Sequence, residues 1–317
     1  MSYVLLVVGL VLLVKGADFF VDGSSSIARS LRVPSIIIGL TIVAFGTSSP
    51  EAAVSIIAGI KNQNDIAVGN VLGSNIFNLL AVVGICAIIK PISIKKEIIA
   101  KEYPFSILAT AVLLVLACDA ILNGNAENFI TRSDSIIMLL FFAVFLYSII
   151  TTALRSRSNS EETDENKPKY SIGKSIIFTV GGLAAIIIGG QFVVDSATKI
   201  ALTFGISESL VGLTIVAIGT SLPELVTSIV AARKGESDIA VGNVVGSNIF
   251  NIFFVLSSSS IISKIKISTE NIVDLFILFG IILLVYLFCI TKRKVSRIEG
   301  IVLTAGYAAY LAYIIMR

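Results

Sequence analysis

A stretch of 41 residues occurs twice in this chain. Residues 38–78 read "IGLTIVAFGTSSPEAAVSIIAGIKNQNDIAVGNVLGSNIFN", and residues 211–251 read "VGLTIVAIGTSLPELVTSIVAARKGESDIAVGNVVGSNIFN". The offset is 173 without a gap, and 28 of the 41 positions are identical. The same offset pairs Gly16 with Gly189 and Asp22 with Asp195. Any fold for this chain must therefore house two copies of one unit. Duplication kept for packing alone would preserve apolar character and small size. It would not keep threonine, serine, glutamate and asparagine identical, so the polar positions point to shared chemistry.

What surrounds each copy decides how the two meet. Hydrophobic residues make up 56% of the chain and charged residues 14%, against about 25% charged in soluble domains. Such a chain cannot cover a water-facing surface with charge, so it reads as an integral membrane protein. Apolar runs long enough to span fall near 3–22, 34–60, 66–89, 103–122, 135–154, 172–195, 208–232, 239–262, 272–291 and 299–316. They lack the alternation of a barrel strand, and only a helix satisfies its own backbone in lipid. The first run has no basic flank or small-residue cleavage site, so it reads as a span rather than a signal peptide.

The expected fold is thus all-α, with ten transmembrane helices. It divides into a first five-helix repeat at 1–154, a linker at 155–171 and a second five-helix repeat at 172–317. Five is odd, so the second repeat enters the membrane from the opposite side and the repeats are inverted. Secondary transporters are commonly built this way, with the site at the midplane where the repeats meet. Loop charge sets orientation. Arg29, Arg32, Lys90, Lys95, Lys96, Arg155, Arg157, Arg233, Lys234 and Lys292 to Lys294 gather on one side. That side reads as cytoplasmic, which places the linker inside and both termini outside a cell (plasma) membrane. The linker is polar and too short for a regulatory domain.

Each repeat interrupts its second span, with "GTSSPE" at 46–51 and "GTSLPE" at 219–224. Proline removes a backbone donor and glycine permits unusual dihedrals. Ser48 with Glu51, and Ser221 with Glu224, also fit a capping box. The second and seventh helices are therefore expected to break and restart near Pro50 and Pro223. An extramembrane hairpin would leave halves of about ten residues, too short to cross. A re-entrant pair would keep the same ion-binding logic. A glutamate at this depth costs on the order of 3 kcal/mol, and two of them repel unless a cation lies between.

The third and eighth spans supply partners. Asn70, Ser74 and Asn78 follow i, i+4, i+8 on one helix face, and Asn243, Ser247 and Asn251 repeat the pattern. These residues also serve as helix–helix glue, which is compatible with ligation. Gly69 with Gly73, and Gly242 with Gly246, form G-x-x-x-G pairs that allow close backbone approach. The candidate ligands are Glu51, Glu224, the hydroxyls of Thr47, Ser48, Thr220 and Ser221, unwound carbonyls near Ala44 and Ala217, and the amide oxygens of Asn78 and Asn251. All are hard oxygen donors, suited to Na⁺ or Ca²⁺ rather than to Mg²⁺, which dehydrates reluctantly. Two carboxylates balance one Ca²⁺ or two Na⁺. A site that must be neutral before it moves accepts either cation but not both, which is the physical basis of antiport. Asp22 and Asp195 read as interfacial pairing residues, and Asp65 and Asp238 as helix-start residues.

The doubled motifs resemble the two alpha-repeats of the sodium/calcium exchanger, or cation/Ca²⁺ antiporter, superfamily, and the five-plus-five plan covers essentially the whole chain. The resemblance implies Na⁺-driven Ca²⁺ antiport by alternating access. It assigns the central Ca²⁺ site to Glu51 and Glu224, with Thr47, Ser48, Ala44, Thr220, Ser221 and Ala217 beside them. It adds Ser74 and Ser247, and the last motif position at Asn78 and Asn251. Some archaeal and K⁺-dependent relatives carry aspartate at the second of these. Asn251 removes that charge here and argues against K⁺ co-transport. The resemblance therefore implies Ca²⁺ and Na⁺ as the transported ions, and neither a cofactor nor a nucleic acid partner is expected.

Other functions fit less well. A H⁺/Ca²⁺ exchanger would use the same glutamates as proton carriers. A cation channel would need a continuous pore, whereas inverted repeats favour rocking. The chain has no histidine, which excludes Ser-His catalysis and His-ligated metal centres. It also lacks a P-loop for a primary pump. Cys86, Cys118 and Cys289 sit singly in apolar segments and read as small buried hydrophobes.

Overall fold

The computed structural model describes residues 2–124, 127–158, 168–205 and 217–316. Helix α1 (Ser2–Leu31) leads into a broken pair, α2 (Ser35–Thr47) and α3 (Ser49–Ile60), bent by 48°. Helices α4 (Asp65–Ile89), α5 (Ile98–Ala117) and α6 (Arg132–Arg157) complete the first half. In the second half α7 (Ile172–Thr203) is followed, after a helical turn at Ala217–Gly219, by α8 (Leu222–Lys234). Helices α9 (Ser237–Ile262), α10 (Thr269–Lys292) and α11 (Arg297–Met316) end the chain. Among the described residues eight helices are long and apolar enough to cross a membrane, and the bent pair counts as a ninth if it is one span. The expected seventh span, 208–232, lies partly outside the described residues, as do 159–167 of the expected linker.

The protein is an α-helical, multi-pass membrane protein. Helix α9 is almost wholly buried and α4 mostly so, while α6 and α11 expose most of their length. What they expose is apolar, including Leu140, Val144, Tyr147, Ile150, Leu154, Ile301 and Val302. A water-soluble protein would hide so many large apolar side chains, and their exposure fits a multi-pass membrane protein. The two halves pack through one another: α1 lies along α7, α4 and α11 meet, and α2 crosses α9.

Glycines set the α1–α7 contact. A Cβ on Gly182 would fall 2.5 Å from the Phe20 backbone nitrogen, and one on Gly16 would fall 2.9 Å from the Gly182 carbonyl oxygen. Without side chains there, the two backbones touch along several turns.

Both helices outrun their expected spans, α1 to Leu31 rather than residue 22 and α7 to Thr203 rather than 195. The polar end of α1 is held by polar and charged partners. Asp22 takes Lys234 (2.8 Å) and Lys169 (2.9 Å), and Arg29 takes Glu236 (2.8 Å). Ser26 and Tyr170 exchange hydrogen bonds. Asp22 is therefore paired, as expected, whereas Asp195 accepts from Gln191 one turn away on its own helix. Asp65 and Asp238 lie in the first turns of their helices, as expected, and Asp238 also pairs with Lys95. The three cysteines are buried and free.

Among the described residues, four short strands depart from a purely helical reading. Strand β1 (Ile92–Ser93), β2 (Asn128–Ile130), β3 (Ile265–Ile267) and β4 (Lys294–Val295) form two antiparallel ladders, β1 with β4 and β2 with β3. Each ladder joins a loop of one half to a loop of the other. Chain leaving the apolar layer still needs backbone partners, and two or three residues leave no period for a sequence to display.

Candidate functional site

The breaks come first because they aim everything else. Ser48 and Ser221 adopt φ/ψ of −83°/8° and −93°/7°, near the bridge region between helix and strand. The helices restart at Ser49 and Leu222, with Pro50 and Pro223 in the first turn. Proline has no N–H to offer the carbonyl four residues back. The first break is a kink rather than an unwound stretch. The Ala44 carbonyl keeps its helical bond from Ser48 N–H (3.0 Å) and is also approached by the hydroxyls of Thr47 (3.3 Å) and Ser247 (3.5 Å). In the second break Ser221 N–H turns to the Ile218 carbonyl (3.1 Å), one residue short of Ala217.

The serines do not cap. Neither Ser48 nor Ser221 makes a side-chain cap bond to its own helix. Ser48 Oγ instead donates to Glu224 Oε1 (2.7 Å), and Ser221 Oγ donates to Glu51 Oε1 (2.9 Å). Each hydroxyl therefore crosses to the other half. A fully buried carboxylate has a greater need of a donor than a backbone N–H that can bond within its own turn has of an acceptor.

Glu51, Glu224, Thr47, Ser48, Ser221, Ser247 and Asn251 are completely buried, with Ser74 and Asn78 nearly so. Ser74 Oγ stands 3.0 Å from Ser221 Oγ and reaches Glu51 Oε1 at 3.4 Å. Thr47 donates to Asn243 Oδ1 (3.0 Å). Thr220 is half-buried and, with Asn70 and Ser74, lines a cavity of about 620 Å³. Asp65, Glu270, Asp274, Tyr307 and Tyr310 also line it. Gly242 and Gly246 meet α2 as G-x-x-x-G suggests, with a Cβ falling 2.9 Å from Gly39 Cα and 2.7 Å from Leu40 O. Gly69 and Gly73 border the cavity instead, and among the described residues nothing approaches a Cβ there.

Asn70 and Asn243 brace the breaks. Their amide nitrogens donate to the carbonyls of Glu51 (3.1 Å) and Glu224 (3.3 Å), and to Ser55 (2.8 Å) and Ser228 (3.0 Å). Asn75 and Asn248 escaped the sequence reading because they fall off the i, i+4, i+8 face. Their identity in both copies was the available signal. Asn75 Nδ2 donates to the Asn248 carbonyl (3.2 Å), and Asn248 Nδ2 to the Asn75 carbonyl (3.4 Å). Asn78 Nδ2 donates to Asn248 Oδ1 and Asn251 Nδ2 to Asn75 Oδ1, both at 3.1 Å. Asn78 and Asn251 each open a π-helical turn, Asn78–Val82 and Asn251–Leu256, a distortion frequent at functional sites.

Four buried acceptor atoms among these residues have no hydrogen-bond donor: Glu51 Oε2, Glu224 Oε2, Asn78 Oδ1 and Asn251 Oδ1. They come as two pairs related by the repeat. Buried acceptors without donors are costly and rare.

Comparison with known proteins bears on this arrangement. The family profile described as "Sodium/calcium exchanger protein" matches residues 1–151 and 174–316. The inner membrane protein YrbG of Escherichia coli is 36% identical over 316 residues, which cover 97% of this chain and 95% of that protein. The sodium/calcium exchanger MaX1 of Methanosarcina acetivorans is 33% identical over 342 residues, which cover 98% and 97%. Among solved structures, the sodium-calcium exchanger NCX_Mj soaked with zero Na⁺ and Ca²⁺ superimposes with a TM-score of 0.84 at 32% identity, covering 99% of this chain and 98% of that one.

Proposed function

The chain belongs to the sodium/calcium exchanger family, and from that premise we propose that it exchanges Na⁺ for Ca²⁺ across the plasma membrane by alternating access, independently of K⁺. The observation that carries the reading is four buried oxygens without donors, one glutamate oxygen and one asparagine oxygen from each half. Two are carboxylate and two are amide oxygens, a hard donor set that suits Ca²⁺ or Na⁺. Glu51 and Glu224 would hold the ion. Thr47, Ser48, Thr220, Ser221, Ser74 and Ser247 would contribute hydroxyls, Ala44 and Ala217 carbonyls, and Asn78 and Asn251 amide oxygens. The serine that crosses to each carboxylate fixes one of its oxygens and leaves the other for the cation.

Charge explains the exchange. Asn78 and Asn251 are neutral, so two negative charges balance one Ca²⁺ or two Na⁺. With both cations present the site would carry net positive charge in a medium that penalises it, and with neither it would hold two facing carboxylates. Loading by one ion therefore displaces the other. The neutral amide at 251 leaves no additional charge for K⁺.

We read the architecture as ten transmembrane helices in two inverted five-helix repeats, 1–154 and 172–317, with broken second and seventh helices and no resident cofactor. The linker 155–171 faces the cytoplasm and both termini face out. Ion pairs at the end bearing Arg29, Lys95, Lys169 and Lys234 support a closed cytoplasmic side. The cavity reaching Ser74 and Thr220 supports an outward path. The test is ⁴⁵Ca²⁺ uptake by proteoliposomes. Uptake is expected with Na⁺ inside and none outside, unchanged by K⁺. Uptake driven by a pH gradient without Na⁺ would move the reading to proton coupling, and single-channel currents would replace exchange by conduction.

A further inference from the structure

The four amides at the centre of α4 and α9 form two crossed chains. Asn251 donates to Asn75, which donates to the backbone carbonyl of Asn248. Asn78 donates to Asn248, which donates to the backbone carbonyl of Asn75. A side-chain amide has a donor end and an acceptor end of nearly equal size, and only its partners tell them apart. A backbone carbonyl accepts and never donates, so it settles the orientation at the start of each chain. The nitrogen of Asn75 must face the Asn248 carbonyl, and its oxygen must then face Asn251. That oxygen takes only a donor, so Asn251 turns its nitrogen toward Asn75 and its oxygen away. The same logic, reflected through the repeat, turns Asn78 Oδ1 away from Asn248. Both oxygens so turned are buried and lack donors.

We infer that Asn75 and Asn248 are positioning residues. Each fixes the amide of the asparagine in the opposite half, so that Asn251 and Asn78 offer oxygen, never nitrogen, to the cation. The inference rests on the exchanger reading only in taking the ion to be a cation. Its specificity consequence is direct. An amide turned over would aim an N–H₂ group, with its partial positive charge, at the ion. The carbonyl anchors make that orientation costly, because a flipped Asn75 would set oxygen against oxygen at Asn248 and leave Asn251 facing a donor.

The pairing is crossed between helices, which gives the test its edge. The readout is equilibrium ⁴⁵Ca²⁺ binding to the purified chain, which does not depend on what drives transport. Asn75→Leu is expected to weaken Ca²⁺ binding about tenfold. With Asn251→Ala already in place, adding Asn75→Leu should change binding by less than about twofold, because no amide is left to orient. With Asn78→Ala in place, the full effect of Asn75→Leu should persist although residues 75 and 78 share a helix. Asn248→Leu should show the mirror pattern, coupled to Asn78 and independent of Asn251. Should Asn75→Leu fail to fold, Asn75→Ser, too short to reach either partner, enters the same cycle. Effects that multiply for the 75–251 pair, or unchanged affinity in both single variants, overturn the assignment. If Na⁺ gradients fail to drive uptake but the crossed coupling holds, the exchanger reading falls and this one stands.

Discussion

Glu51 and Glu224 each face a serine from the other half, and that exchange is what the motifs encode. The sequence places glycine, hydroxyls, proline and glutamate in the middle of two spans, and the structure kinks there. What the motif could not convey is the partner. S-x-x-E reads as a local capping box, because local hydrogen bonds are all that a linear pattern can describe. The three-residue spacing instead lets serine and glutamate leave the kink toward the same neighbour. Asn75 and Asn248 were hidden for a related reason: helical periodicity selects one face, and these residues serve from beside it. Replacing Glu51 by Gln keeps size and removes one of two charges. Breaking a buried charge pair costs about 3–5 kcal/mol, so Ca²⁺ affinity is expected to fall by about 100-fold or more. Wild-type affinity in Glu51→Gln, measured by ⁴⁵Ca²⁺ binding, would remove Glu51 from the site.

At the scale of elements, the positions of the described spans were legible from apolar runs, and the kink at Ser48 from Pro50. Helix ends were not. Helix α1 runs through Ser24, Ser25 and Ser26 to Leu31 because the polar turns find Tyr170, Lys169, Lys234 and Glu236, contacts that hydropathy cannot register. The glycines of α1 and α7 gain meaning only when paired. A methyl added at Gly182 would strike the Phe20 backbone, which cannot yield as a side-chain tip can. Gly182→Ala is expected to cost about 1–3 kcal/mol through overpacking, seen as a lower melting temperature in detergent. Gly181, one residue earlier, has open space around it. Gly181→Ala should melt like the parent, and an equal loss in both variants would mean that close approach is not the cause.

For the whole molecule, the repeat and the apolar runs foretold an α-helical membrane protein with a doubled motif, while the inverted plan and its orientation belong to the proposal. The ladders that tie a loop of each half to a loop of the other were beyond the sequence, since strands of two or three residues leave no pattern. Orientation is open to a direct check. Ser160 belongs to the linker, outside the described residues, and the three native cysteines are buried. Ser160→Cys is expected to react with a membrane-impermeant maleimide only after the cytoplasmic face is opened. Labelling of intact cells would invert the orientation.

The central claim is that one cluster of oxygens holds Ca²⁺ or Na⁺ but never both. Equilibrium ⁴⁵Ca²⁺ binding to the purified protein, titrated with Na⁺ at constant ionic strength, tests it most directly. The account predicts one Ca²⁺ per chain, released completely and cooperatively as Na⁺ rises, with choline having no effect. Calcium that stays bound at saturating Na⁺ would contradict it.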